Sequence, residues 1–404
     1  MQDSLQLHHF MRYPHLGCQL AMMPVYEWSG SGVPHVYCTM AERLWFLFGA
    51  LNLVYQNFGM VIYLFVADRV LEQQQRSQLG VDIAQISETC SIMGLTLVGT
   101  CNMWMLLHHR GDIERLLAQL QQLYPREGQQ ASLYRVAHYY LKSDYLMRLT
   151  TIFFMSAYSY YNSLPILELL YELLVTSKQV QYKFQSNTWY PWPVHNSPFG
   201  FFIAYLCQAL SSLVGVAFIM SGEFLLCFFI TQMRLHFDAI ANAFRALDAS
   251  RPEANKQLKS LISLHSRLLL IADDINRIFN ITFLVNFSTS TIAICLMAFS
   301  MVMISPASTC KYSVGLLSFL VFTLFICYNG NEFTTASDKL LPAAFYSNWH
   351  EGDLAFRKML LFFMMRSCES RVLRAYKFMT VSMQTYMAIL KFSYQLFTFM
   401  RAMI

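Results

Sequence analysis

Apolar runs and polar stretches alternate along the whole chain. Seven runs approach or exceed membrane-spanning length, at 44–66, 83–107, 149–170, 199–230, 281–304, 312–328 and 380–400. A helix rising about 1.5 Å per residue needs about 20 residues to cross a hydrocarbon core of about 30 Å, so these runs predict seven transmembrane helices. The second and seventh are the most polar and lie nearest the limit of a strict hydropathy threshold. A further apolar run, 359–365, lies between Arg357, Lys358 and Arg366. It is too short to span and predicts a helix packed on others outside the membrane.

The connections are unequal. Those at 108–148, 231–280 and 329–379 are long, whereas 67–82 and 305–311 are short. In the first two long connections apolar residues recur at three and four: Ile113, Leu116, Leu117, Leu120 and Leu123, then Leu258, Leu261, Ile262, Leu268, Leu269, Ile275 and Ile278. That period predicts helical extensions packed into a layer outside the membrane and serving as an oligomer contact, or amphipathic helices lying on the bilayer. The remaining long connection, 171–198, carries Trp189, Tyr190, Pro191, Trp192, Pro193 and Pro198. Its prolines forbid a helix and its tryptophans favour the headgroup zone, where it can cover a cavity between helix ends.

Composition agrees with this pattern. Of 404 residues 55% are hydrophobic and only 13% charged, with a mean hydropathy of +0.36, far more apolar than a soluble domain. The fold class is all-α, a polytopic membrane protein. Its net charge of +5 comes with no basic run interleaved with aromatics, so no nucleic-acid partner is expected. With the N-terminus placed in the cytosol, 22 lysines and arginines fall in inner segments and 5 in the outer connections between spans. This positive-inside bias predicts a cytosolic N-terminus and an extracellular C-terminus. The N-terminal stretch is polar and broken by Pro14, Pro24 and Pro34, unlike a cleavable signal. Four parts follow: a cytosolic segment 1–43, six helices with an outer cavity and cytosolic helical loops over 44–330, cytosolic anchor helices over 331–378, and a last helix within 379–404.

Candidate chemistry is sparse. No GxSxG, HExxH, P-loop or GxGxxG occurs, and Glu88, Glu168 and Glu223 are scattered, so neither an enzyme nor a metal or cofactor site is expected. Ten cysteines without a CxxC pair read as unpaired thiols. The outer halves of the middle spans are aromatic, and Phe154, Tyr158, Tyr161, Tyr205, Tyr312 and Phe319, with Ile86, Cys90, Ala209 and Leu316, are the candidates for enclosing a small apolar ligand. Close bundle packing accounts for any one of them equally well.

The seventh run has a lysine at mid-membrane. On a helical wheel Gln384, Ala388, Lys391, Gln395, Thr398, Phe399 and Ala402 fall within about 100° of one another. A lysine facing lipid at that depth costs roughly 2.5–3.5 kcal/mol, so this face must meet protein or water. Packing inside the bundle satisfies that requirement, and so does lining an aqueous path.

The closing third of the chain resembles the insect odorant receptors. The resemblance rests on Ala344, Phe345, Tyr346, Ser347, Asn348 and Trp349, the short apolar run ending in Arg366, and the ending Ile389, Leu390, Lys391, Ser393, Tyr394, Phe397 and Thr398. His265, Leu268, Leu269 and Phe279 and the proline-tryptophan loop add to it. Ser370 to Arg374 depart from the family's proline-bearing turn. The resemblance implies a subunit of an odorant-gated, non-selective cation channel in the plasma membrane of sensory-neuron dendrites. It further implies a heterotetramer with a shared co-receptor, a volatile odorant as ligand, and membrane lipid and permeating cations as its other partners. The last helix would line the pore, with Lys391, Gln395, Thr398, Phe399, Ala402 and Met403 at the path or its gate.

A gustatory receptor channel shares this architecture. A G-protein-coupled receptor requires an outer N-terminus, and a transporter requires repeats or matched broken helices, which the chain lacks. An N-terminal tag is expected to stay hidden from antibody on intact cells while a C-terminal tag is labelled; the reverse labelling restores the G-protein-coupled class.

Overall fold

The computed structural model describes residues 5–24, 26–27, 39–71, 79–125, 134–175, 184–194, 197–303 and 306–402. After a 3-10 turn at Leu7–Met11 come α1 (Arg12–Leu20), α2 (Met40–Leu71), α3 (Leu79–His108), α4 (Arg110–Leu123) and α5 (Val136–Val175). They are followed by α6 (Pro198–Ala246), α7 (Ala254–Met303), α8 (Pro306–Asp338), α9 (Leu340–Phe345), α10 (Leu354–Ser367) and α11 (Met383–Ala402). The seven apolar runs fall on α2, α3, α5, α6, α7, α8 and α11. By length and hydropathy alone five of these helices qualify as spans, and α5 and α11 do not. The second run passes that threshold, so the polar outliers are the third and seventh. In α5 the tyrosines, serines and threonines lower the mean hydropathy, as Lys391 and Gln395 do in α11.

Among the described residues one short sheet joins the helices. A two-residue antiparallel ribbon pairs Arg374–Ala375 with Met379–Thr380, where continuous helix was expected from 380. Tyr376 turns it at φ 54°, and Asn276 Oδ1 accepts from Arg374 N at 2.7 Å. The last helix therefore starts at Met383. Gly330 makes room for this entry, since a Cβ there would lie 2.3 Å from the Val381 carbonyl oxygen.

The centre of the bundle is α6. It is 49 residues long and buried on all sides through its middle, including Phe218, Phe224, Phe228, Phe229 and Phe237. At about 1.5 Å per residue it is far longer than a bilayer is thick, so its last turns project beyond the membrane. So does the first half of α7, as the period at 258–278 predicted, while the same period at 113–123 forms the separate helix α4. Arg234 of α6 pairs with Glu332 of α8, which Lys142 of α5 also reaches at 3.0 Å. The 359–365 run forms part of α10, whose Phe356, Leu360 and Phe363 are buried, with the Phe363 ring 4.5 Å from that of Phe244. Asn348 ties the layer together. Its amide donates to Asp248 Oδ1 and Glu351 Oε2, both at 2.9 Å, and its Oδ1 accepts from Ala249 N at 2.9 Å. The Ser250 hydroxyl and then Asn348 hold the Asp248 carboxyl well below the usual range.

The N-terminal segment is not merely polar. Leu7, Phe10, Met11 and Cys18 are buried, and α1 lies so close to α6 that a Cβ on Gly17 would stand 2.4 Å from Ser221 Oγ. Where α3 crosses α6, two glycines meet: a Cβ on Gly99 would lie 3.0 Å from the Gly215 Cα and 3.1 Å from its carbonyl oxygen. Small residues at such crossings let backbones approach, which is how helices gain contact in lipid. Gly99→Ala is expected to cost about 1–3 kcal/mol by forcing the helices apart. Gly111→Ala, where a Cβ meets nothing within 4 Å, should be neutral or stabilise by up to about 1 kcal/mol. Melting temperatures of the purified receptor assembly check this, and equal shifts for the two variants contradict the crossing.

Candidate functional site

A cavity of about 100 Å³ lies between the helices near their outer ends, as assigned by the charge distribution. Ser91, Ile92, Leu95 and Thr96 of α3 form one wall and Phe154, Ala157, Tyr158 and Tyr161 of α5 another. Ser212, Gly215, Val216 and Ile219 of α6, Met297 of α7, and Gly315, Ser318, Phe319 and Phe322 of α8 complete it, with Gln185 from the proline-tryptophan loop. Nearly all of this surface is apolar. For scale, an apolar cavity of about 150 Å³ takes up benzene, so a ligand of that size or larger must displace a side chain. Met297 is the unbranched residue suited to yield.

Local sequence explains the shape. Pro165 lies inside α5 and lacks the N–H that would bond the Tyr161 carbonyl, loosening the helix at the cavity wall. Tyr161 leans across Gly315, where a Cβ would sit 2.4 Å from its hydroxyl oxygen, and its hydroxyl donates to the Lys311 carbonyl at 2.8 Å. Beside them Lys311 pairs with Glu88 of α3, and the Tyr312 hydroxyl donates to Glu88 Oε2 at 3.0 Å, joining α3 to α8. The other lining hydroxyls also give their protons to fixed acceptors: Ser91 to Ser87 O at 2.8 Å, Ser212 to Ala209 O at 3.0 Å, Ser318 to Val314 O at 2.8 Å, Tyr158 to Ala209 O at 3.3 Å and Thr96 to Asn57 Oδ1 at 2.9 Å.

Of the ten residues proposed from the sequence, Phe154, Tyr158, Tyr161 and Phe319 line the cavity. Tyr205 and Ala209 stand one layer behind, Tyr205 donating to Asn162 O at 2.8 Å and Ala209 accepting from Tyr158. Tyr312 belongs to the Glu88 cluster; Ile86, Cys90 and Leu316 lie outside the lining. On α3 the wall of this cavity is made by Ser91, Ile92, Leu95 and Thr96, and Ile86 and Cys90 are not part of it. Small residues were the signal that aromatic reasoning passed over: Ser91, Ser212, Gly215, Gly315 and Ser318 create the space that the aromatics bound.

The second region is α11. Thr385, Ile389 and Ser393 are its buried residues, and Ser393 donates to Thr291 O of α7 at 3.0 Å. Gln384, Ala388, Lys391, Gln395, Thr398, Phe399 and Ala402, the stripe selected on the wheel, are all exposed on this chain. Met403 lies outside the described residues. Both helices that carry α11 also line the cavity: α7 through Met297, with its Cys295 Sγ 3.7 Å from Met400 Sδ, and α8 through Gly315 to Phe322. All nine described cysteines are free. Among the described residues no three histidine, cysteine, aspartate or glutamate side chains gather as a metal cluster.

The 7tm Odorant receptor family profile matches residues 82–394. Putative odorant receptor 69a of Drosophila melanogaster is 41% identical in isoform A and 43% in isoform B, each over 399 residues, covering 99% of this chain and all of theirs. Odorant receptor 85c of the same organism is 28% identical over 90% of this chain and 91% of its own. The olfactory receptor OR5 of Machilis hrabei, solved in complex with eugenol, superposes with a TM-score of 0.80 at 14% identity, covering 98% of this chain and all of that one, a likeness of fold. Matched by that profile over most of its length and by full-length relatives above 40% identity, this membrane chain belongs to the insect odorant receptor family.

Proposed function

We propose that this receptor is the odorant-binding subunit of a ligand-gated, non-selective cation channel, assembled as a heterotetramer with a shared co-receptor in the plasma membrane of sensory-neuron dendrites. The observation that carries the reading is the double duty of α7 and α8, which wall the apolar cavity on one side and bear α11 on the other. The outward stripe from Lys391 to Ala402 supplies a polar surface that lipid would penalise and a shared aqueous path would satisfy. A volatile, mostly apolar odorant enters the cavity, displaces Met297 or a neighbouring aromatic, and favours a state in which α11 moves from the axis. An affinity about 100-fold higher for that state supplies roughly 2.7 kcal/mol per ligand, enough to shift a channel that rests mostly closed. The family resemblance is what supports the co-receptor and the membrane compartment in this reading.

The test is current recording from cells that express this chain with a co-receptor. Phe154→Ala and Tyr158→Ala are expected to lower odorant potency by about 10- to 100-fold, the cost of losing a buried aromatic contact of roughly 1.5–3 kcal/mol, with permeation unchanged. Gln395→Ala and Met403→Ala should alter ion permeation with little effect on potency. If both groups changed potency alone, α11 would lose its assignment as the pore wall.

A further inference from the structure

One polar atom in the cavity has no partner. Gln185 lines it from the extended loop, and its Oε1 is enclosed without a hydrogen bond, alone in this respect among the lining residues. Of the two ends of that amide, only the oxygen is both fully enclosed and unpartnered. A buried acceptor without a donor is costly, and native proteins almost always supply one from protein or water. Water is a poor occupant here, because a buried water needs two to four polar partners, and the six hydroxyls of the wall have committed their protons.

The loop holds the glutamine in place. Gln208 of α6 clamps the next residue at both backbone groups, its Nε2 donating to Ser186 O at 2.9 Å and its Oε1 accepting from Ser186 N at 3.3 Å. Asn187 donates to Thr89 Oγ1 of α3 at 3.3 Å, and Trp189 N donates to Gly59 O of α2 at 3.0 Å. The Phe184 ring lies 5.1 Å from that of Phe201. With the backbone held on both sides of Gln185, less ordering is left to do on binding, and that preorganisation favours selectivity.

We infer that Gln185 sets the ligand class: the receptor selects compact apolar molecules bearing one hydroxyl, which donates its proton to Gln185 Oε1. This rests on the cavity being the odorant site. An ether or ketone of equal size meets no uncommitted proton from the six lining hydroxyls, all of which donate to acceptors fixed in the protein. Such a ligand leaves Oε1 bare, and the site discriminates against it much as a polar pocket rejects an analogue that lacks the group it was built for.

Cyclohexanol, cyclohexanone, methoxycyclohexane and methylcyclohexane share a ring and differ in hydrogen bonding. Each is to be applied to the complex with co-receptor, recording currents, and to the purified complex, recording the shift in melting temperature. Cyclohexanol is expected to be about tenfold more potent than the other three, the worth of roughly one neutral hydrogen bond. Gln185→Met, which keeps the length and removes the acceptor, should abolish that margin and bring cyclohexanol to the potency of methylcyclohexane on the same variant. A greater potency for the ketone, equal potency throughout, or an alcohol preference that survives in Gln185→Met overturns the inference and leaves the cavity as the odorant site. If none of the four compounds shifts either current or melting temperature, the cavity assignment falls and this inference falls with it.

Discussion

Burial of α6 on all sides through its middle is the constraint from which the rest of the molecule follows. A helix enclosed in this way in a bilayer must satisfy its backbone internally and meets its neighbours mainly through shape. Its glycines therefore matter more than its large residues: Gly215 admits α3, and Gly222 admits Asn102, whose Oδ1 would stand 2.1 Å from a Cβ there. Because α3, α5, α7 and α8 are all referred to this one pillar, its small residues Ser212 and Gly215 help open the cavity where their walls meet. The N-terminal helix belongs to the same logic, as Gly17 brings α1 onto α6 beside Ser221.

A pillar of leucine and phenylalanine alone would leave the rotation of its neighbours loosely specified. Glu223 addresses this on the α7 side, accepting from Asn286 Nδ2 at 2.9 Å in a fully buried setting. Thr282, Asn286 and Ser290 repeat at every fourth residue of α7 and are all buried, so one face of that helix is polar and turned into the bundle. With no water to take up these groups, rotating α7 would expose them to hydrocarbon. The polar seam thus fixes the helix that reaches both the cavity, through Met297, and α11, through Thr291 and Cys295.

Much of this was legible in the sequence because lipid imposes a one-dimensional rule. The seven runs all reappear as helices, and the three-and-four period of the long connections reappears as α4 and the first half of α7. The stripe of α11 was legible for the same reason, since Lys391 cannot face lipid at mid-membrane. What escaped notice was governed by local chemistry or by three-dimensional phase. The ribbon at Arg374 to Thr380 depends on Asn276, about 100 residues away. The burial of Leu7, Phe10 and Cys18 was written in a helical period but masked by His8, His9, Arg12 and His15 between them. Rotation of α3 about its axis could not be read from a run that is apolar on most sides, and it is this rotation that sets Ser91 and Leu95 at the cavity wall.

Gln185 shows the same limit from the other direction. In the sequence it is one of several glutamines in a polar connection beside prolines, and no periodicity applies to it. Its environment is created by Gln208, a residue on a different element that spends its amide on the Ser186 backbone and so leaves Gln185 to face the cavity. On the proposed reading, the energy that opens the pore must come from a better fit in one state than in the other. An enclosed oxygen without a donor is a ready source of that difference, because the gain from pairing it is realised only in the state whose cavity admits a ligand at hydrogen-bonding distance. Apolar contact with Phe154, Phe319 and Met297 is available to many molecules and favours binding in general, so the single directional contact is what lets such a site convert chemical identity into a gating preference.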